Sequence, residues 1–165
     1  KRRQQMSREE IQGLLKADGI KACVVISRFN DFFTKQLLDG AVDCFVRHGG
    51  NENSLTVIWT PGANELPLVA DRAAKSGKFS GLVALGAVVQ GATRHAELIN
   101  TQVSRSLAKT AMDTELPLIN GVVCADNLEQ AIERCGTKSG NKGWTSMLAL
   151  IEMVNLYKEL GRGGK

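Results

Sequence analysis

Short apolar runs rich in β-branched residues alternate with longer segments of helical period along almost the whole chain, and few folds accept that pattern. Residues 21–27 (KACVVIS), 54–60 (SLTVIWT), 81–89 (GLVALGAVV) and 117–124 (PLINGVVC) read as strands. Between the first two, Phe33, Leu37, Leu38, Ala41, Val42 and Phe45 recur at helical spacing until Gly49-Gly50 stops them. Residues 65–76 read as a second helix, with Pro67 tolerated in its first turn. A long helix is predicted over 96–114. A short one, capped by Asp126 or Asn127, runs to Arg134. A last one, capped by Asn141, carries Trp144, Leu148, Ile151 and Val154 on its apolar face. Strand-helix alternation predicts an α/β fold: a three-layer αβα sandwich whose four-stranded, mostly parallel sheet has helices on both faces. The 165 residues suit one domain, 1–165, with flexible ends at 1–10 and 161–165.

Such sheets bind ligands beyond the carboxyl ends of their strands. Three loops leave those ends: Arg28-Phe29-Asn30, the turn from Pro61 to Glu65, and the turn from Gln90 to His95. They are expected to converge.

Composition narrows the function. At 43% hydrophobic and 23% charged residues the chain is ordinary for a globular protein. No apolar run approaches the roughly 20 residues of a membrane helix, and no secretory signal is visible. The net charge of +4 sits partly in the ends. The interior has no basic stripe interleaved with aromatics, so no nucleic-acid partner is expected. Moderate basicity does suit phosphorylated substrates. The cysteines at 23, 44, 124 and 135 form no C-x-x-C pair and have no histidine at metal-ligand spacing. A reducing cytosol and no metal site are the expectation, with Cys23 and Cys124 acting as small hydrophobes in strands.

Gly91-Ala92-Thr93-Arg94-His95 stands out against that background. It follows a strongly apolar strand and precedes a helix, and His95 is one of only two histidines. The turn offers backbone N–H groups to an anion, and histidine can both give and take a proton near neutral pH. His48, in Arg47-His48-Gly49-Gly50, falls at a helix C-terminus, where a cation is favoured, and reads as structural.

Several blocks, in order and spacing, make the chain resemble the lumazine synthase family from about residue 11 to 160. They are Ser27-Arg28-Phe29-Asn30; Pro61-Gly62-Ala63 with Glu65 and Pro67; Ala84-Leu85-Gly86; Gly91-Ala92-Thr93 with His95; Asn127-Leu128-Glu129-Gln130-Ala131; and the most specific, residues 134–144 (RCGTKSGNKGW). The resemblance implies a flavodoxin-like fold and a riboflavin-biosynthesis transferase. Its reaction joins 5-amino-6-ribitylaminouracil to 3,4-dihydroxy-2-butanone 4-phosphate, giving 6,7-dimethyl-8-ribityllumazine and phosphate, without cofactor or metal.

By the same resemblance, His95 is the catalytic proton-transfer residue. Phe29 stacks on the pyrimidine, as a flat π face suits a flat heterocycle. Glu65 holds the ribityl chain, whose hydroxyls a carboxylate can accept. Ala63, Asn64, Ala87, Val88, Val89 and Asn120 fall at the remaining substrate-binding positions. Ala92, Thr93, Arg134 and Lys142 fall at the phosphate, which a guanidinium fork is shaped to pair. Lys138 reads as surface.

Four positions depart from the family's pattern. Asn64 stands for a large aromatic, and Asn120 for a phenylalanine contributed by a neighbouring subunit. Ala96 and Leu98 stand where aromatics commonly follow the histidine. They admit an alternative: a catalytically weakened or redesigned shell-forming protein with an altered pocket. A flavodoxin-like flavin or nucleotide module fits the strand-helix alternation alone, but the turns lack its phosphate signature.

The resemblance further implies a homopentamer with active sites at subunit boundaries, and a sixty-subunit icosahedral shell that can enclose riboflavin synthase as a partner. The tight turn over 136–140 is compatible with the shell. Near the N-terminus, Ser7 and Glu10 have capping-box spacing, and Ile11, Leu14 and Leu15 have helical spacing. The resemblance overrides that helix with a strand added to a neighbour's sheet.

Overall fold

A computed structural model describes residues 8–91, 94–136 and 140–162. Its strands are β1 (Ala22–Ser27), β2 (Leu55–Thr60), β3 (Gly81–Val89) and β4 (Leu118–Ala125). They form one sheet in the order β2-β1-β3-β4, and every pair is parallel. The expected "mostly parallel" sheet is thus wholly parallel among the described residues. The order is that of flavodoxin-like sheets, with β1 and β3 fully inside. Central position explains composition. Both faces of β1 and β3 are covered, so their residues are apolar in continuous runs, not in alternation.

Alternation decides instead which layer each side chain joins. Val24, Ile26, Val83 and Leu85 point to one face, where they pack with α1 (Asp31–Arg47) and α5 (Lys142–Arg162). Cys23, Val25, Leu82 and Ala84 point to the other, against α2 (Leu66–Lys75) and α3 (His95–Thr114). Each fully buried Val, Leu or Ile contributes about 1.5–3 kcal/mol. The short α4 (Leu128–Arg134) follows β4.

Local signals place the helix starts. The Asn127 side chain accepts from Gln130 N at 2.8 Å, and Asn141 Oδ1 accepts from Gly143 N and Trp144 N at 2.8 and 3.1 Å. The predicted second helix splits into a short 3-10 turn, Ala63–Glu65, and α2 from Leu66. Pro67 sits in its first turn, where a missing N–H costs nothing.

Residues 8–20 form neither helix nor strand, so the helical spacing of Ile11, Leu14 and Leu15 is not realised. Tertiary contact explains it. The segment lies across α5, where Asn155 Nδ2 donates to Leu14 O and Lys16 O at 2.6 and 2.9 Å. A Cβ on Gly13 would lie 2.0 Å from Glu152 O, so only glycine permits that crossing. Of the ends expected to be flexible, 1–7 and 163–165 lie outside the described residues, as does Ser7 of the capping box.

Candidate active site

The β1 ladder does not stop at Ser27. Arg28 N donates to Thr60 O (2.8 Å) and Phe29 N to Pro61 O (2.9 Å), which stitches the first two strand-end loops together. Asn30 then takes a left-handed conformation (φ 62°, ψ 45°), a state asparagine tolerates better than most residues. Its carbonyl accepts from Phe33 N and Thr34 N and so starts α1. Phe29 is left at the mouth of the loop with 71% of its surface exposed, unusual for a phenylalanine, and it has no ring partner among the described residues.

The third wall comes from unequal strand lengths. β1 and β3 pair as far as Ile26 and Leu85, but β3 and β4 continue to Val89 and Ala125. Ala87, Val88 and Val89 therefore project past the last β1 pair, with a strand partner on one side only. His95 opens α3, with Ala96 and Ile99 on the same inward face.

These pieces enclose a cavity of about 530 Å³. The first loop contributes Phe29 and Asn30, the second Pro61 to Glu65, and the third Ala87 to Val89, Gly91, His95, Ala96 and Ile99. The volume suits a small organic ligand. The three loops converge as expected. Phe29, Ala63, Asn64, Glu65, Ala87, Val88, Val89 and His95 all line one space. The sequence reading gave no role to Asn30 or Ile99. Ile99 had a signal, its one-turn spacing from His95 and Ala96. Asn30 had none beyond its place in a strand-end loop. Ala96 leaves that part of the wall small, whereas Leu98 is 61% exposed and lies outside the cavity lining.

The expected anion-binding residues separate into two groups. Ala92, Thr93 and Lys138 lie outside the described residues. Arg134 and Lys142 do not line the 530 Å³ cavity. They share a smaller hollow of about 150 Å³ with Gly140, Asn141 and Thr145. An isolated bridge between Cys135 and Asn141 closes the chain there and brings both cations together. Arg134 Nη1 donates to Cys124 O at 2.6 Å, tying the guanidinium to the carboxyl end of β4, where Cys124 pairs with Val88. Burial raises the Cys124 thiol pKa, Asp126 and Glu97 add to the rise, and Arg134 opposes it. Arg134 and the first turn of α3 thus feel the same strand end.

Asn120 is also outside the chain's own cavity. Its Nδ2 donates to Ser104 Oγ at 3.1 Å, and its Oδ1 accepts from Val122 N at 3.0 Å. His48 is held by its helix: Nδ1 lies 2.6 Å from Cys44 O, and the ring meets Trp144 edge-on at 5.8 Å. Among the described residues, no three His, Cys, Asp or Glu side chains gather as a metal-ligand set, and no helix is long and apolar enough to cross a membrane.

Fold and cavity define a flavodoxin-like α/β protein whose candidate small-molecule site is built on strand-end loops. Residues 19–158 match the family model of 6,7-dimethyl-8-ribityllumazine synthase. The chain is 49% identical over 156 residues to the 6,7-dimethyl-8-ribityllumazine synthase of Chlorobaculum parvum, covering 94% of this chain and 100% of that one. It is 48% identical over 155 residues to the protein of the same name from Chlorobium phaeobacteroides, with the same coverage. The chain belongs to the 6,7-dimethyl-8-ribityllumazine synthase family.

Proposed function

We propose that this protein condenses 5-amino-6-ribitylaminouracil with 3,4-dihydroxy-2-butanone 4-phosphate to 6,7-dimethyl-8-ribityllumazine, releasing phosphate, as a step of riboflavin biosynthesis. The observation that carries this is one cavity holding an exposed aromatic face, a carboxylate, an open strand edge and a histidine. Phe29 supplies the stacking surface for the pyrimidine. Ala63, Asn64 and Glu65 receive the ribityl chain, the carboxylate accepting hydroxyl hydrogens. Ala87, Val88 and Val89 line the pyrimidine, and Val89 offers its backbone groups to the ring's amide edge.

The primary amine adds to the ketone and loses water to give an imine. A C–H proton is removed as the phosphate departs, and the ribityl-bearing exocyclic amine then closes the new ring by adding to the remaining carbonyl carbon, with loss of another water. His95, at the cavity wall, takes and returns the protons of these steps. The phosphate sits at the start of α3 with Ala92 and Thr93, where the helix N-terminus favours an anion. Arg134 and Lys142 complete its pairing.

Arg134, Lys142 and Asn120 lie outside the chain's own cavity, which supports a site completed across a subunit boundary. Among the described residues β2 leaves a free edge beside a hollow of about 880 Å³ against α2, with Leu68 78% exposed. A neighbour's N-terminal strand fits that edge by main-chain pairing. The assembly in this reading is a homopentamer, twelve of which close into a sixty-subunit shell able to enclose riboflavin synthase. Its place is the cytoplasm, and its domain is the single unit 1–165.

Mixing the protein with both substrates and following product absorbance and fluorescence tests the reaction. The expected result is a rate above the spontaneous background. Equal rates with and without protein overturn the reading. Electron micrographs and sedimentation test the assembly, with large closed particles expected.

A further inference from the structure

β3 runs beyond the last β1 pair, Ile26 with Leu85, so its β1-facing edge past that point lacks a strand partner. One side chain takes the missing strand's place. Asn30 Nδ2 donates to Ala87 O at 2.8 Å, across 57 residues of sequence. The bond lies at the cavity, which both residues line. Its geometry depends on the left-handed backbone of Asn30, φ 62° and ψ 45°, which turns the amide towards β3 while its own carbonyl starts α1.

Successive residues of a strand direct their backbone groups to opposite neighbours. Gln90 N donates to Ala125 O on the β4 side at 2.8 Å. Ala87 and Val89 therefore face the β1 side. Ala87 O is bound by Asn30, which leaves the Val89 N–H and C=O as the next edge groups, opening into the cavity. Phe29 immediately precedes Asn30. A single amide thus couples the stacking ring to the backbone edge that would read the rim of a flat heterocycle.

We propose that Asn30 is a positioning residue: its amide fixes the spacing between the Phe29 ring and the Val89 backbone edge, and so sets affinity for the planar heterocycle without touching the phosphate-bearing substrate. The proposal rests on the reading of this cavity given above and names the residue that orders it. A loop-closing role alone would change stability or both substrates together. A role in spacing stack against edge changes one substrate selectively.

The test uses Asn30→Gly and Asn30→Asp in the full chain. Glycine keeps the left-handed backbone and removes the donor. Aspartate keeps the size and sets a carboxylate against Ala87 O. In wild-type protein, turnover of both substrates and calorimetric binding of 6,7-dimethyl-8-ribityllumazine are measured first. In both variants the expected result is about a tenfold rise in KM for the aminouracil and a matching loss of lumazine affinity. KM for the butanone phosphate should stay within about twofold, since no interaction with that substrate is removed. Variants that bind the lumazine as wild type does, or that raise both KM values together, overturn the role of Asn30 and leave the reaction standing. Wild-type protein that binds the lumazine but forms none overturns the reaction, and the binding comparison still decides Asn30. Wild-type protein that does neither overturns both.

Discussion

At the scale of single residues, chemistry and position make separate demands. His95, Phe29 and Glu65 are the reactive or polar groups a ligand-facing loop would carry, and each lines the cavity. Replacing His95 by alanine should lower kcat about a hundredfold, towards the spontaneous rate, with little change in either KM. Steady-state kinetics with both substrates varied checks this. Arg134 differs because its guanidinium already spends one N–H on Cys124 O. Arg134→Lys keeps the charge but loses the fork. It should raise KM for the butanone phosphate about 10- to 100-fold while KM for the aminouracil holds. The residue types that line the candidate site were legible in the chain. The tie from Asn30 to Ala87 was not, because no local pattern announces a hydrogen bond across a sheet.

The elements were legible wherever their own residues carry the signal. Strand composition, the Asn127 and Asn141 caps and the apolar face of α5 all act locally, and the structure contains each of them. Close approach was less legible. A Cβ on Gly143 would lie 1.9 Å from Leu37 O, so α5 starts in backbone contact with α1. Gly143→Ala must push the helices apart and should destabilise the fold by about 1–3 kcal/mol or more, measured by urea unfolding. Because Lys142 is the preceding residue, use of the phosphorylated substrate should weaken as well. Residues 11–15 show the opposite failure. Helical spacing was present, but the tie of Asn155 to Leu14 O and Lys16 O holds the segment across α5 in a non-helical path. A four- or five-residue apolar period is a weak preference, and tertiary hydrogen bonds exceed it.

For the whole molecule, the sheet's burial sets a pH limit. Burial pushes the Cys23 thiol up to about 12, and Cys44 and Cys135 to about 11. The stabilising contribution of these neutral thiols is complete below the usual thiol value of 9.0 and is lost as pH rises from there towards 11–12, because the unfolded chain ionises first. Urea unfolding from pH 7 to 11 should show stability falling above about pH 9, and Cys23→Ala should flatten part of that fall. The same burial predicts that Cys23, Cys44 and Cys135 resist alkylation in the native state at pH 8, with partly exposed Cys124 the first to react. By itself, the sequence determined the α/β class, the parallel sheet and the end of the sheet that carries the candidate site, because alternating periods and strand-end loops are local properties. Only the tertiary structure decided that β3 outruns β1 and opens an edge into a 530 Å³ space. It also decided that Arg134 and Lys142 stand apart from that space within one chain. Both depend on register and on the packing of distant segments, which no window of sequence contains.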